Sequence, residues 1–474
     1  YIHYDFGGSR IEIRLDILMC INWINSLKQR GYHKNVVSLS ILYKDRTAMS
    51  LLSLDILEGK TSKYETNHIH MIVDGEISFP VTNMNDKQYG TFFHEYIHYL
   101  QHFTTMFGVK ICTIYNKMFI LYVDYLKHNK TVKLPLELWK EDQGLMNFIS
   151  FFNDIKGDRN CPHHIDEVEI SPIEISLAKS NRCAVQIGLY DFENDIALEN
   201  GFKFGYTCII ESMAHLIQSF INEELYHPTI PYCAAELIFR AIYADKSHDI
   251  KMMISLCFCS LMFDNPGVAF FEMINYSKNN PTLNGYELYK KLIRDHSIKY
   301  KKEEMPIYRA LCIFLDELKV NISQAIGCKL DYYDEVIENC KNEIKSGNSV
   351  LLDILYNADI SDKNYFSEVF EKVYGYPFIE ADNMTVMPMD NSRQPSKPYI
   401  ETATMIGLEL IFKRVKSYNN TTCSWYKTCS KALYTQNDKT SIECLCDQWN
   451  KTELCLMTEA LRYYGIKDNE YIQE

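Results

Sequence analysis

The sequence predicts an α+β chain that is mainly α-helical. Two observations carry this. The stretch before Asp86 mixes alternating and β-branched runs, and from Asp86 onward apolar residues three and four apart dominate, the period of a helix with one buried face. A chain of 474 residues exceeds what one simple core needs, so several regions are expected. Residues 1–230 would hold a small N-terminal sheet and the helices richest in unusual polar residues. Residues 231–375 read as helical, 376–399 as a proline-rich loop or linker, and 400–474 as a helical, cysteine-rich C-terminal region.

In chain order, "RIEIRLDILM" from Arg10 alternates and "NVVSLSILY" from Asn35 is β-branched. "HIHMIVDGEISFPV" (His68–Val81) reads as a hairpin turning at Asp74-Gly75. Helical patterns follow at Gln88–Thr105 and Gly205–Asn222. Met252–Phe263 is the longest apolar run; it is too short to span a bilayer and suits a buried helix. Tyr308–Gly327 and Tyr333–Gly347 are periodic and both stop at glycine. Pro377, Pro388, Pro395 and Pro398 mark the loop between Gly375 and Tyr399, and Glu401–Val415 resumes a helical pattern.

Composition narrows the function classes. Hydrophobic content of 47% with 23% charged residues is that of a soluble globular protein. A net charge of −13 argues against nucleic acid as partner, because neutralising phosphates needs a basic face. No membrane partner is expected. The 16 cysteines are scattered, mostly in apolar runs, which fits a reducing cytoplasm rather than a disulfide framework. The chain starts at Tyr1 without a methionine, so whether a targeting segment preceded it stays open.

Place Gln88–Thr105 on a helix at about 100° per residue. Thr91, His94, Glu95, His98, Gln101, His102 and Thr105 then share an arc of roughly 120°, with apolar residues on the other side. That stripe holds no Lys or Arg, whereas a stripe that merely faces water recruits charges. His94-Glu95-Tyr96-Ile97-His98 is a His-Glu-x-x-His pattern. Histidines four apart stack on one helix face and can reach one tetrahedral ion, and the adjacent glutamate projects beside it, placed to take a proton from water.

A catalytic zinc needs one more protein ligand and an open position. His98 is followed by Tyr99-Leu100-Gln101, which lacks the glycine of the metzincin continuation. His102 lies one turn on, where a third ligand would diverge in height and angle, so it is given a supporting place. On the Gly205–Asn222 helix, Cys208, Glu211, Ser212, His215, Gln218, Ser219 and Asn222 form a second stripe free of Lys and Arg. A glutamate on so apolar a helix is costly to bury unless paired or metal-bound. Packed stripe to stripe, the two helices would set Glu211 beside His94 and His98, with His215 in a supporting place.

In "HEYIH" and the glutamate of "ESMAH", the chain resembles the gluzincin group of zinc metallopeptidases, the thermolysin-like class, over about Tyr64 to Asn222. The resemblance implies a zincin-like catalytic core with a small sheet before the histidine helix. It implies that His94, His98 and Glu211 bind one catalytic Zn²⁺ and that Glu95 is the general base. The implied activity is zinc-dependent hydrolysis of peptide bonds in a protein or peptide substrate. Narrow substrate specificity is expected from the long stretch after the site, in a protein whose cysteines fit the reducing cytoplasm. The departure is spacing: 113 positions separate His98 from Glu211, far more than in thermolysin.

Other residues offer alternatives. Cys161, His163, His164 and Asp166 sit on a proline-marked loop and read equally well as a polar surface turn. Tyr226, His227 and Tyr232 follow the second helix closely enough to stabilise an oxyanion, and the sequence does not choose among them. Cys423, Cys429, Cys455 and either Cys446 or Cys444 would close a structural Zn²⁺ site, without the paired spacing of a zinc ribbon; reduced, packed cysteines are the plainer reading. Glu95-x-x-His98 also matches half the signature of a ferritin-like di-metal carboxylate protein, but Glu211-x-x-x-His215 has the wrong spacing for the other half. A catalytically inactive zincin-like binding protein is the third class, against which the intact Glu95 weighs.

Overall fold

The computed structural model describes residues 2–6, 9–13, 40–41, 70–73, 75–161, 167–191, 196–222, 225, 227–381, 385–386, 407–408, 411–412, 415–416 and 456–473. The expected balance holds: the described chain is mainly helical with small sheets. β1 (Ile2–Phe6) pairs antiparallel with β2 (Ser9–Ile13) and with β3 (Ser40–Ile41), so the alternating run from Arg10 does begin as a strand. His163, His164, Asp166, Tyr226 and the cysteines 423, 429, 444, 446 and 455 lie outside the described residues.

The hairpin at Asp74-Gly75 is corrected. β4 (His70–Val73) is a strand, but the residues after Gly75 do not return beside it. Ile77, Val81 and Met84 are instead buried on the way into the first long helix, so the apolar positions of this stretch serve the core rather than a second strand. The true partner of β4 is distant and parallel.

That first helix, α1 (Asp86–Thr104), opens with a capping box. Asn85 Oδ1 accepts from Gln88 N–H at 2.8 Å, and Gln88 Oε1 accepts from Asn85 N–H at 3.1 Å. Two backbone donors that the helix cannot use are thereby satisfied. Thr105 ends α1 with extended backbone and caps α2 (Met106–His128) through Gly108 N–H. A Cβ at Gly108 would stand 2.2 Å from the Gln101 carbonyl, so this sharp corner requires glycine. α2 is long and apolar enough to cross a membrane, but most of it is buried in the core.

β5 (Thr131–Leu134) and α3 (Gln143–Ile155) follow. β6 (Glu167–Glu169), β7 (Val185–Asp191) and β8 (Ile196–Phe204) form an antiparallel sheet, with α4 (Pro172–Asn181) packed on β7. The sheet leads into α5 (Tyr206–Gln218), α6 (Ala234–Ile242), α7 (Ile250–Ser260), α8 (Pro266–Lys278) and α9 (Gly285–Asp295). After the hairpin of β9 (Ser297–Tyr300) and β10 (Glu303–Pro306) come α10 (Ile307–Ile326), α11 (Asp331–Ser346) and α12 (Val350–Asn357). α10 and α11 end at left-handed Gly327 and Gly347, as their sequence stop signals imply.

The proline-rich stretch also needs correction at its start. β11 (Phe378–Ala381) runs parallel to β4, pairing Ile379 with Met71, and β12 (Thr385–Val386) adds antiparallel to it. Ile379 is fully buried, which outweighs the loop signals around it. Within Glu401–Val415, residues 407–408 and 411–412 are helical, as expected. α13 (Leu456–Tyr463) and β13 (Glu470–Gln473) close the described chain, β13 lying parallel to β5.

The aromatic back of α1 explains its position. Phe92, Phe93 and Tyr96 meet Phe366 and Phe370, with centroids 5.1 Å apart for Phe92–Phe366 and 5.2 Å for Phe93–Phe370. Burying each ring contributes roughly 2–3 kcal/mol, and each edge-on pair about 1 kcal/mol more. Tyr96 donates to the Gly375 carbonyl (2.6 Å) and Tyr99 to that of Tyr374 (2.8 Å). With its back held this way, α1 turns its polar stripe toward α5, against which it packs.

Candidate metal centre

Where α1 meets α5, His94, His98 and Glu211 converge. His98 Nε2 lies 3.3 Å from His94 Nε2, and Glu211 Oε2 lies 3.5 Å from His94 Nε2 and 3.4 Å from His98 Nε2. The three atoms form a nearly equilateral triangle. Each residue is only 4% exposed, so the set is assembled away from water. Among the described residues this is the one such group of histidine, cysteine and carboxylate side chains able to hold a metal ion.

Charge explains what the trio does without an ion. Burial disfavours charge on both imidazoles. At His98 the Glu211 carboxylate outweighs that penalty and raises the group to about 9, with Glu95 adding to the pull. His94 stays below its ordinary value, because burial and the neighbouring charged His98 work together against the help of Glu211. Glu211 is opposed by burial too, but the two histidines hold its carboxyl well below the usual carboxylate range. One proton, on His98, thus compensates one carboxylate.

The stripes supply the supporting contacts as well. His98 Nδ1 donates to Gln101 Oε1 at 3.0 Å, so the proton that compensates Glu211 is on Nε2, facing the triangle. Gln101 is itself fixed, its amide donating to the Ile210 carbonyl at 3.2 Å on α5. Gln218 favours the charged form of His94, whose Nδ1 is buried without a geometric hydrogen bond, as is Gln218 Oε1. Gln101 and Gln218 stand on the two predicted stripes, and that placement was the available signal for their role.

His102 is not part of the triangle. Burial and the charge of His98 lower it to about 4, so it is a neutral neighbour. His215 likewise stays outside; burial, then His94, lowers it to about 4, and its Nε2 faces Cys233 Sγ at 3.6 Å. His227 lies parallel to His94 at 5.5 Å, and Tyr232 is 4.3 Å from His227 and 5.9 Å from His94, centroid to centroid. Ser212 of α5 holds their loop, donating to the Pro231 carbonyl (3.0 Å) and accepting from Ala235 N–H (3.1 Å). Glu95, His215, His227 and Tyr232 are all half-buried and surround the buried trio.

Compared with protein-family models, curated proteins and solved structures, the chain matches none.

Proposed function

We propose that the chain is a zinc-dependent peptidase in which His94, His98 and Glu211 hold the ion and Glu95 is the general base. The observation that carries this is the triangle. Nitrogen and oxygen ligands about 2.0–2.2 Å from a tetrahedral ion stand roughly 3.3–3.5 Å from one another, the edge lengths seen among Nε2, Nε2 and Oε2. Two neutral nitrogens and one carboxylate oxygen suit zinc, and Glu211 Oε2 is buried with no hydrogen bond of its own.

A zinc ion bound there would supply Lewis acidity toward a peptide carbonyl and lower the pKa of water. The chain's own residues do the rest. Gln101 keeps the His98 proton on Nδ1 and so leaves Nε2 as a donor to the ion. Glu95, half-buried at the edge of the trio, takes the proton of the attacking water and delivers it to the leaving amine. His227 and Tyr232 stand against His94 on the same side, where either could donate to the tetrahedral oxygen.

The near-complete burial of the trio favours a second reading, a structural ion that ties α1 to α5 in a protein without hydrolytic activity. Metal analysis combined with Glu95→Gln separates the two. On the peptidase reading the chain carries one zinc, and the variant keeps it while losing cleavage of a peptide library. Zinc retained with no cleavage by the wild type would leave the structural reading in its place.

A further inference from the structure

A second concavity lies away from the metal ligands, between α3, the start of α2 and the end of α4. It is a half-open groove of about 210 Å³ lined by Phe107, Phe148, Phe151 and Phe152, with Lys110, Asp264, Asn147 and Arg182 at its edge. A dry cavity of about 150 Å³ takes a benzene ring, so there is room here for one ring and a short arm. The walls are held in place. Phe107 packs on Phe152 at 5.4 Å, Phe148 stacks on Phe152 at 5.6 Å, and Tyr206, the first residue of α5, backs Phe107 at 4.9 Å. Phe148 nevertheless stays 38% exposed, a large ring kept at the opening.

The edge charges are unequal. Lys110 is paired with Asp264. Arg182 has its guanidinium 4.4 Å above the Phe151 ring and no carboxylate partner among the described residues. Its backbone is left-handed, with φ 56°, a conformation that side chains other than glycine and asparagine rarely adopt. Asn147 accepts from Gln143 through its oxygen, which leaves its NH₂ to donate. One uncompensated cation and one amide donor therefore overlook an aromatic slot, in a chain whose net charge is −13.

We infer that this cleft binds a small aromatic carboxylate, its ring among Phe107, Phe148 and Phe152 and its carboxylate on Arg182. The anion fits the one edge charge that has no acid partner among the described residues, and the planar guanidinium, already aligned on Phe151, offers a two-pronged donor. The site does not depend on the metal reading.

The test is titration of the full-length chain with hydrocinnamate, followed through the ring signals of Phe148 and Phe152. Saturable binding is expected, at least tenfold weaker for the uncharged hydrocinnamyl alcohol. Arg182→Asn, a residue that tolerates left-handed backbone, should weaken hydrocinnamate at least tenfold while leaving the alcohol unchanged. Equal binding of acid and alcohol would overturn the assignment. So would undiminished acid binding in Arg182→Asn, as for a carboxylate captured at the metal ligands, or no saturable binding at all.

Discussion

The Glu211 carboxylate stands 3.4 Å from His98 Nε2, although 113 positions separate the two residues in the chain. Neither is on a flexible loop. Each is fixed to a buried helix, and Gln101 bridges those helices beside them. Such a contact brings the proposed ligands together within the fold itself, so the parts of the proposal can be removed one at a time.

Glu211→Ala leaves two ligands. Zinc affinity should fall by more than the roughly 10–100-fold that supporting residues typically cost. His102→Ala, on the same helix as the histidines but outside the triangle, should leave metal content unchanged. Competition with a chromophoric chelator reads both. A large loss in His102→Ala alongside a normal Glu211→Ala would require a different ligand set.

Gln101→Leu keeps the size of the side chain but removes the acceptor for His98 Nδ1. The imidazole would lose its fixed tautomer and its tie to Ile210. A drop of about tenfold or more in zinc affinity is expected, with thermal stability changed far less than the affinity. Unaltered affinity would show that packing alone orients the ring.

How much of this was legible in the sequence follows from the range of each signal. The His94–His98 spacing and both uncharged stripes are local, and the helix period displays them directly. Glu211 was legible because a lone carboxylate on an apolar helix needs a partner. Gln101 and Gln218 were on the stripes, which marked their place but not the atoms they meet. The pairing of β4 with β11 was not legible, since a parallel partner some three hundred residues away leaves no local trace and its segment is crowded with loop-forming residues. The same holds for Phe366 and Phe370, which fix the back of α1.

Metal uptake should release a proton. In the ion-free chain His98 is raised to about 9 from 6.5, while Glu211 is already ionised and His94 tends to be neutral. An ion must displace the His98 proton, so apparent affinity should climb about tenfold per pH unit up to about 9 and level off above it. The sign for the ion-free fold is opposite: a raised pKa stabilises fully below 6.5, and that contribution is lost as pH rises through about 9. Calorimetry in buffers of different ionisation heat counts the proton. A count near zero at neutral pH would contradict the proton placement.

Glu343 of α11 provides a pH dependence remote from the ligands. Burial pushes its carboxyl up to about 7, although the Tyr374 hydroxyl and the Val350 N–H, both at 2.6 Å, favour the charged form. Because the folded pKa lies above the ordinary 4.5, its contribution to stability is present below 4.5 and lost as pH rises through about 7. Glutamine would still accept from one of the two donors through its single oxygen, would offer its NH₂ to the Tyr374 oxygen in place of the other, and would not titrate. One pKa unit is worth roughly 1.4 kcal/mol, so between pH 5 and pH 8 the wild type should lose about 2–3 kcal/mol relative to Glu343→Gln. Urea unfolding at the two pH values, with equal m-values, measures the difference. The variant should be the more stable chain at the higher pH, since it avoids burying a charge beside Tyr374, whose carbonyl also anchors Tyr99 of α1. Parallel pH profiles for the two proteins would mean that Glu343 ionises as freely in the fold as it does in water.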